Sequence, residues 1–143
     1  MEKNSSVMFV RLLVAMFMFA AVSWNMSGCE AAQWERVVSS ATETAELDVS
    51  SIRRVHFPNA GANVVCLVKV IAADNSYVIS QVALRINNGN KESAMMSCTV
   101  YDANGNVVGQ DPGTGEPSAA DYEIVSPGSH GEALFDKAMY YAQ

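Results

Sequence analysis

The chain has 143 residues, half of them hydrophobic, with 9 basic against 15 acidic residues and a formal net charge of −6 at pH 7. That length allows one small domain plus a targeting segment, with a thin core, because such domains bury only about 60 to 70% of their unfolded surface. The acidic balance excludes nucleic-acid binding and a basic membrane patch, since a negative surface repels phosphate backbones and anionic headgroups.

Lys3 and Arg11 precede an uncharged, largely apolar run from Leu12 to Trp24, and small residues follow before Cys29. A positive head, a short apolar middle and a small-residue end make an export signal. The middle falls short of the roughly 20 apolar residues that cross a bilayer as a helix. Residues 1–28 therefore read as a helical signal peptide. Met26-Ser27-Gly28-Cys29 resembles the lipobox of bacterial lipoproteins, with Met26 in place of the usual Leu. The resemblance implies removal of the signal, diacylation of the Cys29 thiol, and a mature protein beginning at that residue. Two acyl chains moor a protein stably while its folded part stays in water. Glu30 replaces the aspartate that marks inner-membrane retention in enteric bacteria, which points to the outer membrane, on the periplasmic side of a bacterial cell envelope. Two alternatives stay open: cleavage after Ala31 or Ala32, giving a soluble secreted protein without lipid, and an uncleaved signal anchor. Loss of residues 1–28 removes Lys3, Arg11 and Glu2, leaving seven basic against fourteen acidic residues, a net charge of −7 over 115 residues.

Residues 29–46 read as a tether, partly helical, because Ala31, Trp34, Val38, Ala41 and Ala45 recur at helical spacing in a thin stripe. Trp34 suits either a headgroup interface or a seat on its own domain. From 47 to 143 the pattern turns to period two, with β-branched residues and turn clusters at short intervals. Strands are expected over 63–72, 77–87, 94–102, 106–110, 122–126 and 132–141, with 112–117 as one longer loop rich in Pro and Gly. Asn104-Gly105 is the strongest hairpin cue, and Pro127-Gly128 marks a second corner. Six or seven short strands fit an all-β sandwich better than any helical arrangement.

Cys66 shares the parity of Val64, Val68 and Val70, and Cys98 that of Met96 and Val100, so both thiols are expected to point into the core. Export to an oxidising compartment would let them pair, and an odd total of three cysteines is explained if Cys29 carries lipid. Closing that loop would contribute roughly 3 to 4 kcal/mol in the chain-entropy account. The alternative is two small buried hydrophobes on strands that never meet.

The stretch TVYDANGNVVG at 99–109, followed by IVSPG at 124–128 and Phe135, resembles the FxLYD family of small extracytoplasmic domains. VALRINNGNKESAMMSCTVYD, just upstream, is similar to that family's strand, Asn-containing turn and strand, and the likeness spans about residues 62–137. It implies an immunoglobulin-like β-sandwich and brings no catalytic residues. No tryptophan lies between Cys66 and Cys98, and their separation is short, so the inter-sheet disulfide of antibody domains is not implied.

Chemistry-bearing residues are sparse. Asp102, Asn104 and Asn106 alternate ahead of Asp111, like the opening of a calcium loop, but Gly105 stands at position four and Gly113 at position twelve, where an EF-hand needs glycine at six and glutamate at twelve. A hairpin turn is the better reading. A weak ion site in the 111–123 loop, with Glu116 and Asp121, is the alternative. His56 and His130 lack a histidine partner at metal-ligand spacing. Ser129 beside His130 has no orienting motif, so no enzyme, cofactor or metal is expected. Met95-Met96, Tyr140-Tyr141 and Arg53-Arg54 are the features to watch for binding, and an edge strand carrying the tyrosines would be open to strand addition. The expectation is thus a lipid-anchored envelope protein serving as a non-catalytic binding or assembly module. Its partners would be the membrane, through the lipid, and a protein of the envelope; the rivals are a soluble secreted interaction protein and an ion-binding accessory protein.

Overall fold

A computed structural model describes residues 31–113 and 115–143. Cys29, the lipobox-like tetrapeptide and the helical signal lie outside the described residues. Among those described, no helix is long and apolar enough to cross a membrane.

The chain is mostly antiparallel β-structure, as its period-two patterning predicts. Its strands are β1 (Trp34–Ser39), β2 (Glu43–Phe57), β3 (Gly61–Ala72), β4 (Tyr77–Asn87), β5 (Asn90–Tyr101), β6 (Val107–Asp111) and β7 (Glu123–Ile124), and one helix follows, α1 (His130–Tyr141). The first six strands lie side by side in chain order, and β7 pairs with β5 at Glu92 and Ser93. Among the described residues all seven strands belong to one sheet, the first six in consecutive order, without the Greek-key crossings between two sheets that define the immunoglobulin topology. Layering is sandwich-like in that apolar clusters form on both faces of the sheet. The tight turn between β4 and β5 is Asn88-Gly89, both at positive φ (50° and 80°), the Asn-Gly chemistry that a two-residue hairpin demands. The 102–106 reversal closes through Asp102, whose N–H donates to the Asn106 carbonyl and whose carboxylate accepts from the Asn104 and Asn106 N–H groups.

One face of the sheet carries Leu47, Val64, Cys66, Val68 and Leu84 against Phe135 and Ala138 of α1. The other gathers Phe57, Ala60, Val65 and Ala83, with Met96 and Tyr122 packed over them. Asn63 is 4% exposed on that second face and is fully partnered: the Tyr122 hydroxyl donates to its Oδ1 at 2.6 Å, and its Nδ2 donates to the Ala60 and Gly61 carbonyls. Gly113 presses on β5 so closely that a Cβ there (φ +66°) would lie 1.5 Å from the Met96 carbonyl oxygen.

Three expectations are corrected. Residues 34–39 and 43–46 are strand and not a helical tether, because β1 pairs with β2 from Trp34↔Asp48 to Ser39↔Thr44. The turn between them is closed by Ser40, whose Oγ accepts from the Thr42 and Glu43 N–H groups. Trp34 sits on its own domain, with the Lys69 ammonium 4.2 Å from the ring centroid.

The expected last strand over 132–141 is the helix α1. Ser129 caps it by accepting from the Glu132 N–H, Glu132 in turn accepts from the Gly128 N–H, and Leu134, Phe135, Ala138, Met139 and Ala142 bring one face to the sheet. Tyr140 and Tyr141 are therefore helix residues, not a strand edge.

Cys66 and Cys98 are free thiols. They lie on β3 and β5, with β4 between them pairing to both, through Cys66↔Val82 and Ser80↔Cys98. Two strand spacings, about 9.6 Å, exceed the roughly 7 Å that a disulfide spans between Cα atoms.

Candidate functional site

The site is built where three strands run past the end of the helix. On β2, β3 and β4 the residues at this end of the helix-bearing face are Arg54 and His56, then Ala62 and the core residue Val64, then the core residue Leu84 and Ile86, and they share one face because Arg54↔Val64, His56↔Ala62 and Val64↔Leu84 are register partners. Met139 of α1 and Ala142, which caps the helix, close the side toward the core, and together these residues line a groove of about 560 Å³. Such a volume lies within the roughly 300 to 1,000 Å³ range of ligand pockets. Its apolar floor continues into solvent, with Ile86 66% exposed.

Charge in the groove comes from β2. Arg54 donates from Nε to the Ala142 carbonyl at 2.6 Å, which fixes its guanidinium across the helix end, and its Nη groups have no hydrogen-bond partner among the described residues. Among the described residues, no carboxylate pairs with Arg53, Arg54 or His56. Arg85 is different in kind. It turns to the opposite face, pairs with Glu92 at 2.7 Å, donates to the Ala60 carbonyl and lies 3.7 Å over the Tyr122 ring. Burial pushes the Tyr122 hydroxyl up from its ordinary pKa, so it stays a donor to Asn63. Arg85 is thus a structural cation, and Arg54 an available one.

Beside the groove runs an open backbone edge. β1 covers β2 only as far as Asp48, while β3 pairs with β2 on its other side through residues 53–57. The outer flank of residues 53–57 therefore has no strand neighbour among the described residues.

Comparison of the chain with protein-family models, with curated proteins and with solved structures found no match.

Of the residues singled out in the sequence, the structure brings Arg54 and His56 together and leaves the rest apart. His56 is an exposed strand residue. His130 starts α1, with its Nδ1 2.6 Å from Glu43 Oε1, and pins the helix to the start of β2. The Asp102 carboxylate is held below its ordinary range chiefly by hydrogen bonds from Asn106, and Asp121 likewise by those from Ser118. Asp111 accepts from the Gly113 N–H, and Glu116 from the Asn59 N–H at 3.4 Å. These carboxylates serve separate turns, and among the described residues no three metal-ligating side chains converge. Met95 is 60% exposed, while Met96 packs on the second cluster. The groove's apolar floor and the open edge escaped the sequence. The one signal for them was the Arg53-Arg54 pair, which alternation sends to opposite faces.

Proposed function

We propose that this chain is an exported, lipid-anchored protein of a bacterial envelope that acts as a non-catalytic binding or assembly module. The address rests on Lys3 and Arg11 ahead of the apolar run and on the lipobox-like residues ending at Cys29. The observation that carries the binding role is the groove with Arg54 and His56 on its rim, set beside a stretch of β2 that has no strand neighbour among the described residues. Catalysis by nucleophile and base needs the two side chains within hydrogen-bond reach and a third to orient them. In the groove, His56 and Arg54 face apolar carbon, with neither a hydroxyl nor a thiol among the lining side chains. The FxLYD-like stretch belongs to the same reading, as an extracytoplasmic module without catalytic residues.

Metabolic labelling with a clickable fatty acid tests the address. The wild-type chain is expected to carry label and to sediment with membranes, and Cys29→Ser to lose both. An unlabelled mature chain in the medium would move the protein to the soluble secreted reading. Full-length product in the cytosol, with residues 1–28 still attached, would overturn the proposal.

A further inference from the structure

We propose that the open edge of β2 at residues 53–57 takes up an acidic, extended segment of a partner protein as an added strand. The inference rests on the binding-module reading and names its partner class and mode. An unpaired edge presents a row of N–H and C=O groups, and an extended peptide satisfies them by main-chain hydrogen bonds. The other free edges are less fit for this. β1 carries an irregularity between Arg36 and Val38, and the β5–β6 pairing shifts between Val100 and Tyr101, so both outer strands are kinked. Residues 53–57 pair with 65–61 in unbroken register, so no bulge interrupts this stretch.

Charge selects the occupant. Arg53, Arg54 and His56 fall within four residues of an otherwise acidic chain. A second copy of this edge would set arginine against arginine across the new pair, which is unfavourable, whereas a strand bearing Asp or Glu is favoured on either face. The inward residues of an added strand would meet Arg54 and His56, and an apolar neighbour would find Met139 and Ala142 at the groove wall. A membrane lipid could answer the cations but not the unpaired backbone, because an acyl chain brings no donors or acceptors.

The test uses the full chain in a zwitterionic nanodisc and a fluorescent seven-residue peptide alternating glutamate with valine. Saturable binding is expected by anisotropy, together with slowed amide exchange at residues 53–57. Replacing the peptide's glutamates with lysine should weaken binding at least tenfold, as should N-methylating alternate peptide bonds at unchanged charge. Arg54→Glu should do the same, and so should Arg53→Glu, which leaves the Ala142 contact intact and so guards against a folding artefact. Equal binding by the N-methylated peptide would reduce the effect to charge attraction and overturn strand addition. Binding to anionic phospholipid vesicles in place of the peptide would overturn the partner class. Both outcomes are independent of where the cell keeps the protein, which the Cys29 experiment decides separately.

Discussion

Cys66 is where a single side chain reports most directly on the core. It is 1% exposed, between Val64 and Val68 on the face that α1 covers, and burial pushes its thiol from an ordinary value of 9.0 up to about 12. A thiol in that state is neither nucleophile nor metal ligand, since the thiolate does that work. In the native chain a thiol reagent is therefore expected to modify Cys98 well before Cys66, read by peptide mapping. The linkage has a definite sign. Between pH 9 and 12 the unfolded chain has lost the Cys66 proton and the folded chain keeps it, so stability falls as pH rises. The slope from this one group is about 1.4 kcal/mol per pH unit. Cys66→Val lacks it, and because every lysine and tyrosine is common to both chains, the difference in their urea midpoints isolates the thiol. Equal slopes would mean that the thiol is not buried as described.

The bend in β2 is the element that shapes the site. Between Asp48↔Leu67 and Arg53↔Val65, β2 spends three more residues than β3, and the surplus is held by side chains. Ser51 Oγ donates to the Asp48 carbonyl at 2.6 Å and accepts from the Leu67 N–H at 2.8 Å, while the buried Asp48 carboxylate accepts from Gln33 N, Ser50 N and Ser50 Oγ. Ser51→Ala leaves the Leu67 N–H without an acceptor, a loss of about 1 to 3 kcal/mol. Urea unfolding is expected to show that loss, and a smaller one for Ser50→Ala, whose partner Asp48 keeps two other donors. The bulge was illegible in the sequence, because a surplus residue shows only once the partner strand's register is known. Strands β3, β4 and β6 were legible from alternation and turn residues, and β4 matches its expected span of 77–87. The helix was missed because Glu132 to Tyr141 contains both periods, and tertiary contact through Phe135 decided between them. Its start was nevertheless written in Ser129-His130-Gly131-Glu132, a capping sequence of the kind that opens helices. Of the site, Arg53-Arg54 was visible as a pair, but which arginine faces the groove follows only from the pairing of Arg54 with Val64.

At the scale of the whole molecule, α1 covers one face of the sheet, and carboxylates hold it there. Lys91 of β5 bonds Glu132 at 2.8 Å and Asp136 at 2.7 Å, Lys137 bonds Glu35 of β1 at 3.3 Å, and the Tyr141 hydroxyl donates to Glu35 at 2.6 Å. Phe135, 1% exposed, is the apolar pin between these ties. The Glu35 carboxyl is held below its ordinary range first by Tyr141 and then by Lys137, and that of Glu132 first by Lys91 and then by the Gly128 N–H. Groups lowered in the folded state stabilise it above their ordinary pKa, and the contribution is lost as pH falls through the lowered one. Both are solvent-facing, so each tie is weak alone and screened by salt. Their shared geometry still predicts that acid loosens the helix before it melts the sheet. Below about pH 4, where carboxyls protonate, amide exchange in α1 is expected to quicken while β3 and β4 stay protected, and Glu132→Gln should show the same quickening at pH 7. The groove shares that fate, because Met139 and Ala142 form its wall and the Ala142 carbonyl fixes Arg54. Exchange that quickens in sheet and helix together as pH falls would mean that the helix is no separate unit, and that the groove opens only with global unfolding.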